Sequence, residues 1–389
     1  MRTSHMIYTG AALTSLMCGT LIANSIWPIP QPTPATPETQ VQVLQSTQKA
    51  SQHQRPRIDV VFVVDTTGSM SGLLEGAKQT IWSIANRLSS GEPRPDIRIG
   101  LVAFRDITDD YVTKSFPLTR DLDTVHGHLT ELLAAGGGDG PEHVNRGLSD
   151  AIHGMQWEEG QGVLRLIFLV GDAPPHDDYN DGPTSTELAR TARANNITIN
   201  TVRCGQQADT ANAWQTIASL TGGQMTTIEQ NGGVQTIDSP FDDELATLNR
   251  SLVSSMRGWG SATDKSNAQR KARSRAGLSD QAAASAASYS AKNMYLFEED
   301  LLTALDEGRV DLDRVDNAAL PEAMQTMDRA AQQAYVQDLK TERSQLNKRI
   351  LEVSKKRDAY IEDNSTEDGF DNKVVDMLRD QAAEIGVAY

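Results

Sequence analysis

An acidic residue and two hydroxyl residues alternate directly after an apolar run of the sequence. Residues 58–64 are apolar except for one Asp, a pattern typical of a strand buried on both faces. Asp65, Thr67 and Ser69 follow at alternating positions. Because ligands bind at the carboxyl ends of the strands in an open parallel sheet, we expect these side chains to face a common point. Their oxygen atoms are the ligands that a hard divalent cation prefers.

Three further acidic residues lie at the ends of segments downstream. Asp106 follows the strand-like run at 98–104, Glu142 follows a glycine-rich loop, and Asp172 follows an apolar run that ends at residue 170. The four segments, in this order, resemble the von Willebrand factor A domain, in the variant found in integrin β subunits. The resemblance covers residues 57–257. The whole sequence resembles exported A-domain proteins of the bacterial type.

The resemblance implies a metal-ion-dependent adhesion site with one open coordination position. In this family, neutral hydroxyls leave the cation short of negative charge, so that an Asp or Glu of a protein partner completes its shell. The resemblance therefore implies a metal-dependent module for adhesion or assembly, with Mg²⁺ or Mn²⁺ as the cofactor. The ligands carried over by position are Asp65, Thr67, Ser69, Glu142 and Asp172.

A second cation, Ca²⁺, is implied next to the first. The residues carried over for it are Asp106, Asp139, the carbonyl of Pro141 and a shared Glu142. The match is incomplete, because the family has an Asn side chain where this sequence has Gly137. The family's third, flanking site is expected to be absent.

Two other functions stay open at this stage. The segment 65–71 is also similar to the phosphorylation loop of haloacid-dehalogenase-like phosphotransferases, where the Asp is the nucleophile. Against that alternative, Thr67 stands where the soluble phosphatases have a general-acid Asp, and no other enzyme signature is present, so we expect no enzymatic activity. The last alternative is a structural protein that forms homo-oligomers through its C-terminal helices and uses the metal for stability alone.

Strand-like and helix-like patterns alternate through residues 57–257. This alternation predicts an α/β fold, a Rossmann-like open and mostly parallel sheet with helices on both faces. The predicted strands lie near 58–64, 97–104, 111–118, 163–170, 197–203 and 224–228, and the predicted helices near 73–88, 121–133, 142–155, 184–194, 210–220 and 241–256.

The remainder of the chain predicts a linker and a mostly helical C-terminal region. Residues 258–292 are rich in Ala and Ser and are interpreted as a linker, while 293–389 are interpreted as helices. Leu339, Leu346, Ile350, Val353 and Tyr360 form a heptad-like stripe. The stripe favours either a coiled coil or a helical hairpin that packs on itself.

The charge and the N-terminal segment bear on partners and localisation. A net charge of −16 argues against nucleic acid as a partner, because phosphate binding needs clustered Lys and Arg. Residues 1–27 are interpreted as a signal peptide or an N-terminal membrane anchor, and 28–56 as a linker rich in Pro, Gln, Ser and Thr. We therefore expect an exported protein, either periplasmic, extracellular or anchored and facing outward, that meets a membrane only through this anchor.

Overall fold

The structure is a computed structural model that describes residues 55–138, 140–160, 162–230, 237–364 and 370–389. The predicted signal or anchor at 1–27 and nearly all of the predicted linker at 28–56 lie outside the described residues. Asp139, one of the predicted ligands of the second cation, lies outside them as well.

The described strands form one open, mostly parallel sheet. Its order is β3-β2-β1-β4-β5-β6, and β3 is antiparallel to β2 while the other neighbours are parallel. The predicted fold class is confirmed. The strands are β1 (Arg57–Asp65), β2 (Asp96–Phe104), β3 (Thr113–Thr119), β4 (Val163–Gly171), β5 (Ile197–Cys204) and β6 (Met225–Ile228).

Helices cover both faces of the sheet because successive residues of its buried strands point to opposite sides. In β1, Val60 and Phe62 pack with α1, α2 and α11, whereas Val61 and Val63 pack with α3, α4 and α5. The described helices are α1 (Ser71–Leu88), α2 (Leu122–Glu131), α3 (Val144–Gly154), α4 (Ser185–Ala194), α5 (Ala208–Thr221), α6 (Asp242–Ser254), α7 (Ala262–Ala276), α8 (Asp280–Asn293), α9 (Leu301–Asp306), α10 (Arg329–Asn364) and α11 (Phe370–Ala383).

The segment 258–292 differs from the linker that its composition predicts, because it contains α7 and α8. Every residue of α8 from Ala282 to Ala291 is buried. On one side Ala286 and Tyr289 belong to the cluster that includes α1, and on the other Ala284 and Ala287 pack with α6 and α10. A helix that is buried all round needs small side chains where its neighbours approach closely, and this explains the Ala and Ser content.

Three of the five residues in the apolar stripe of α10 are buried, and Leu346 and Tyr360 are half-buried. Leu339, Ile350 and Val353 are at most 4% exposed. Ile350 and Val353 pack in the cluster formed with α6 and α8. Ile350 and Val353 therefore contact α6 and α8, and this part of the stripe is not available for a self-packed hairpin or a coiled-coil seam.

The last helix, α11, completes the sheet's cover. Its residues Val374, Leu378 and Ala382 belong to the same apolar cluster as Phe168 of β4 and Val202 of β5. The helix α6, which the sequence places last in the A domain, packs instead on α8 and α10. As a result Arg55–Tyr389 form one compact unit, and the predicted boundary at residue 257 does not divide it.

No described helix has the length and apolar content needed to cross a membrane.

Candidate metal site

Three strand ends bring the predicted site together at one edge of the sheet. Asp65 is the last residue of β1, and Asp172 follows directly after β4. β1 lies between β2 and β4, and Asp65 pairs in register with Phe104, two residues before Asp106. The register therefore places all three carboxylates at the same edge.

The loop after β1 orders the first two ligands around each other. Asp65 and Thr67 are each 1% exposed. The Thr67 backbone N–H donates to Asp65 Oδ1 at 2.8 Å, and the Thr67 hydroxyl donates to the same oxygen at 2.6 Å. The Ser69 hydroxyl, on the exposed side of this loop, lies 3.3 Å from the Thr67 hydroxyl. Asp65 Oδ1 is thus held in place, and Asp65 Oδ2 has no hydrogen-bond partner among the residues that the structure describes.

Glu142 enters the site from the loop before α3. Its backbone pairs with the loop after β4, through its N–H to the Pro174 carbonyl at 3.0 Å and from the His176 N–H to its own carbonyl at 3.1 Å. Gly137 has a φ of +79°, and a Cβ there would lie 3.2 Å from both Glu142 Oε1 and Thr67 Cβ. Only a glycine allows this close approach without strain.

Gln230, in the segment that follows β6, contacts Asp172, the fifth predicted ligand. Its side-chain amide donates to Asp172 Oδ2 at 2.6 Å and reaches the Ser69 carbonyl at 3.4 Å. The amide thereby links the loop after β1 to the loop after β4. The sequence analysis missed Gln230, since no motif marks its position.

The buried carboxyls of the site have raised pKa values, and a cation would stabilise their charged forms. Burial raises the pKa of Asp65 to about 7; hydrogen bonds from Thr67 lower it, and the nearby Asp172 carboxylate raises it. Burial and, after it, the negative charges of Asp65 and of the aspartates around it together raise the pKa of Glu142 to about 9. These groups would hold protons near neutral pH unless a cation neutralised them.

The residues present fit a divalent cation. Asp65 Oδ2 and Glu142 Oε2 are buried and have no hydrogen-bond partner among the described residues. A buried carboxylate oxygen without a partner is costly, and a hard cation is the partner that such an oxygen favours. Within the described ranges no three Asp, Glu, His or Cys side chains are grouped closely enough to hold a metal by themselves. Carboxylates alone therefore do not complete the coordination shell of the cation. Two of the five predicted ligands are hydroxyls, and water would fill the coordination positions that the protein leaves open.

The residues predicted for a second cation are engaged differently. Asp106 is 3% exposed, and the Tyr179 hydroxyl lies 2.9 and 3.1 Å from its two carboxylate oxygens. The Tyr179 ring stacks on His176 with ring centroids 4.0 Å apart. Pro141 lies in the loop next to Glu142, and the Ca²⁺ site stays a prediction.

Arg105 connects three of the loops that form the site. Its guanidinium donates to the Thr66 carbonyl at 3.1 Å and to the Leu133 carbonyl at 2.6 Å, and it lies 4.3 Å from the centre of the Tyr111 ring. The Tyr111 hydroxyl in turn lies 2.7 Å from the Thr66 hydroxyl. Arg105 is 3% exposed. A charged residue that directly follows a buried strand is the one sequence signal for this role, and the sequence analysis did not use it.

Comparison with known families agrees with the fold. Residues 59–230 match the family model of the von Willebrand factor A domain. This part of the chain is therefore a von Willebrand factor A domain. The match is to the domain in general, and the likeness to the integrin β-subunit variant stays a prediction.

Individual relatives are distant. The chain is 31% identical over 120 residues to the Alpha-protein kinase vwkA of Dictyostelium discoideum, a match that covers 31% of this chain and 19% of that protein. This chain thus spans about a fifth of the length of that relative.

Two solved structures share lower identity. The SpRpn10 VWA domain has 17% identity, a TM-score of 0.35, and coverage of 45% of this chain and 88% of that one. Proximal thread matrix protein 1 from the mussel byssus, with a zinc-occupied MIDAS motif, has 18% identity, a TM-score of 0.36, and coverage of 44% and 42%.

Proposed function

We propose that this protein is a metal-dependent protein-binding module. The observation that carries the proposal is the convergence of three carboxylates and two hydroxyls at one sheet edge, with Asp65 Oδ2 and Glu142 Oε2 buried and without hydrogen-bond partners among the described residues. A divalent cation, Mg²⁺ or Mn²⁺, would supply an open coordination position for an Asp or Glu of a protein partner.

The exposure of the ligands favours binding from outside the domain. Asp65, Thr67 and Glu142 are at most 4% exposed and form the floor of the site. Ser69 is exposed and Asp172 is half-buried, and they lie at its mouth. A partner's carboxylate therefore approaches from the side of Ser69 and Asp172.

We propose further that the site is not catalytic. Asp65 Oδ1 accepts two hydrogen bonds from Thr67, and the side chain is 1% exposed, which is unfavourable for attack on a phosphate ester. In a phosphatase assay with a generic phosphomonoester, we expect no turnover above that of the Asp65→Asn variant. Turnover that this substitution abolishes would restore the phosphotransferase alternative.

The proposal includes a location outside the cytoplasm. It rests on the hydrophobic segment at 1–27 and the Pro-rich segment after it, both of which precede the described residues. It does not include a homo-oligomer formed through the C-terminal helices, because Ile350 and Val353 of the apolar stripe pack against α6 and α8.

Metal binding and partner binding can be tested together. Mn²⁺ binding is measured by electron paramagnetic resonance for the wild type, for Asp65→Asn and for Asp178→Asn, a matched change at an exposed carboxylate outside the ligand set. We expect Asp65→Asn alone to lose the ion. Partner proteins should be retained in Mg²⁺, released by EDTA, and absent with Asp65→Asn. A wild-type chain that binds none of Mg²⁺, Mn²⁺ or Ca²⁺ would refute the proposal.

A further inference from the structure

A lysine contacts two carboxyl groups at the end of the sheet opposite the metal site. Asp121 follows β3, whose direction is antiparallel to that of the central strands, so it lies at the other end from Asp65. The Lys271 ammonium, on α7, donates to Asp121 Oδ2 at 2.6 Å and to the two carboxylate oxygens of Glu299 at 2.7 and 2.8 Å. The side chain of Asp121 is 0% exposed, and those of Lys271 and Glu299 are each 13% exposed. Three segments that are far apart in sequence therefore place one amine between two carboxyl groups where little water reaches them.

Backbone N–H groups donate to both oxygens of the Asp121 carboxyl. Asp121 is the N-cap of α2, and its Oδ1 accepts from the Thr124 N–H at 3.1 Å. Its Oδ2 accepts from the Glu298 N–H at 3.1 Å. These donors and the positive end of α2 draw electron density away from the carboxyl carbon. Asp121 is therefore suited to attack by the amine, whereas Glu299, with both oxygens turned to the amine, is suited to carry protons.

We propose that Lys271 and Asp121 form an intramolecular isopeptide bond, with Glu299 as the group that moves the protons. An amine that donates to a carboxyl oxygen at 2.6 Å is close to the separation of about 3–3.5 Å from which it can attack the carboxyl carbon. Groups held at this distance in a site that excludes water can condense without an added enzyme or cofactor. The bond would join the matched A-domain segment to α7 and close a loop of 150 residues.

The reaction is a condensation in which nothing is oxidised or reduced. The Glu299 carboxylate takes a proton from the Lys271 ammonium, and the lone pair of the neutral Nζ attacks Cγ of Asp121. Negative charge develops on Oδ1, to which the Thr124 N–H already donates. Glu299 passes this proton, and then a second one from Nζ, to Oδ2. The Cγ–Oδ2 bond breaks, water leaves, the Nζ–Cγ amide remains, and Glu299 is again a carboxylate.

The ionisation of Lys271 makes this reaction depend on the folded site. Burial lowers the pKa of Lys271, and the charges and hydrogen bonds of Asp121 and Glu299 raise it, with a net rise. The ammonium is thus the resting form near neutral pH, and an ammonium cannot attack. The reactive amine forms by proton transfer to Glu299, so replacement of this carboxylate should stop the reaction.

A second Lys–Asp pair in the same chain serves as an internal control. Lys340 Nζ and Asp306 Oδ1 also lie 2.6 Å apart, but their side chains are 36% and 47% exposed. Water hydrates both of these groups and competes with the amine for the carboxyl carbon. We expect this pair to stay an ordinary ion pair.

The test is the mass of the whole chain, measured after denaturation. We expect the wild type to be lighter than its sequence requires by one water molecule. Lys271→Arg keeps the charge but cannot form the bond, and Glu299→Gln removes the proton carrier, so both should have their full mass. Asp121→Asn presents the same carbon with a different leaving group and should lose one ammonia molecule instead.

Tryptic peptides of the wild type then locate the bond. Trypsin does not cleave after an acylated lysine, so we expect peptide 121–146 joined to peptide 271–273. A wild type of full mass, with these two peptides separate, would show an ion pair alone and would overturn the inference. A bond from Lys271 to Glu299, a bond between Lys340 and Asp306, or a water loss that persists in Glu299→Gln would overturn it as well, since each contradicts the assigned roles.

Discussion

At the scale of single residues, the site is a compromise between burial and charge. Asp65 and Glu142 are almost fully buried, and each places one carboxylate oxygen where no described protein group donates to it. Burial raises the pKa values of both groups, as described above. In the absence of a cation, protonation of each carboxyl avoids the free-energy cost of a buried negative charge. Protons and metal ions therefore compete for the same oxygens.

This competition predicts that bound metal weakens the pH dependence of stability. The pKa of Asp65 rises from 3.8 to about 7 on folding, and that of Glu142 from 4.5 to about 9. Between these values the folded chain binds more protons than the unfolded chain, so the stability of the metal-free protein falls as pH rises. We expect the Tm in EDTA to decrease from pH 5 to pH 8 and the decrease to be smaller in saturating Mg²⁺.

The Asp65→Asn variant serves as the control for this prediction. It removes one titrating group, so its Tm in EDTA should fall less steeply with pH than that of the wild type. It should also respond little to Mg²⁺. The same pH slope with and without Mg²⁺ in the wild type would contradict the prediction.

Arg105 is predicted to act on metal affinity through the loops that it connects. Lys cannot make the two directed hydrogen bonds to the Thr66 and Leu133 carbonyls at once. We expect Arg105→Lys to lower Mn²⁺ affinity about tenfold or more, as substitutions of groups that orient metal ligands do. The measurement is a Mn²⁺ titration.

A matched control lies on β2, the strand that Arg105 follows. Arg98 donates to both carboxylate oxygens of Asp59 at 2.8 and 2.6 Å, near the other end of β1 and β2. The Arg98→Lys variant should lower the Tm without changing Mn²⁺ affinity. If both variants changed metal affinity equally, the effect of Arg105 would be one of general stability.

At the scale of elements, the sequence predicted the strands well because their physical signal is local. A strand buried on both faces must be apolar at nearly every position, as in β1, and the carboxylates follow directly where such runs end. The loop contacts of Gln230 and Arg105 depend instead on which loops lie side by side in the fold. Neither residue could be assigned before the strand order was known.

Helix α8 shows why composition misled the prediction for 258–292. A run of Ala and Ser has low hydropathy contrast between its faces, so it looks like a linker when its neighbours are unknown. Its burial comes from α1, α6 and α10, and α10 lies far downstream in sequence. Small side chains are required here because helices contact α8 on several sides.

This packing predicts that enlarging α8 destabilises the protein. Ala284 and Ala287 are 0% exposed. Adding a larger side chain to a well-packed core typically costs about 1–3 kcal/mol. We expect Ala287→Leu to lower the free energy of unfolding by that amount in chemical denaturation, whereas Ala334→Leu, at an exposed position of α10, should change it little. An unchanged stability for Ala287→Leu would support the linker interpretation.

At the scale of the whole molecule, the C-terminal region is part of the domain's core. In α11, Gln381 exchanges two side-chain hydrogen bonds of 2.9 and 2.8 Å with Asn200 of β5, and both residues are buried. The chain end continues this contact, since the Ala388 and Glu92 backbones pair with each other. Helix α11, which covers one face of the sheet, begins more than a hundred positions after the end of the matched A-domain segment.

The last prediction is that the A domain does not fold alone. Removal of residues 365–389 from a chain that begins at residue 55 would uncover apolar residues of β4 and β5, including Phe168 and Val202, together with Cys204. Each Å² of apolar surface so exposed costs roughly 25 cal/mol, and this cost acts against a domain stability that is typically only about 5–15 kcal/mol. We expect loss of cooperative unfolding and rapid reaction of the Cys204 thiol with a disulfide reagent, since Cys204 is 1% exposed in the intact unit and is the sole cysteine after residue 18. Gln381→Ala in the same chain keeps α11 but leaves the buried Asn200 Nδ2 without its acceptor, so it should fold with lower stability and show a smaller increase in thiol reactivity. A truncated chain that unfolds cooperatively and keeps Cys204 protected would mean that the sheet is stable without α11, and that the region after residue 257 is a separate module.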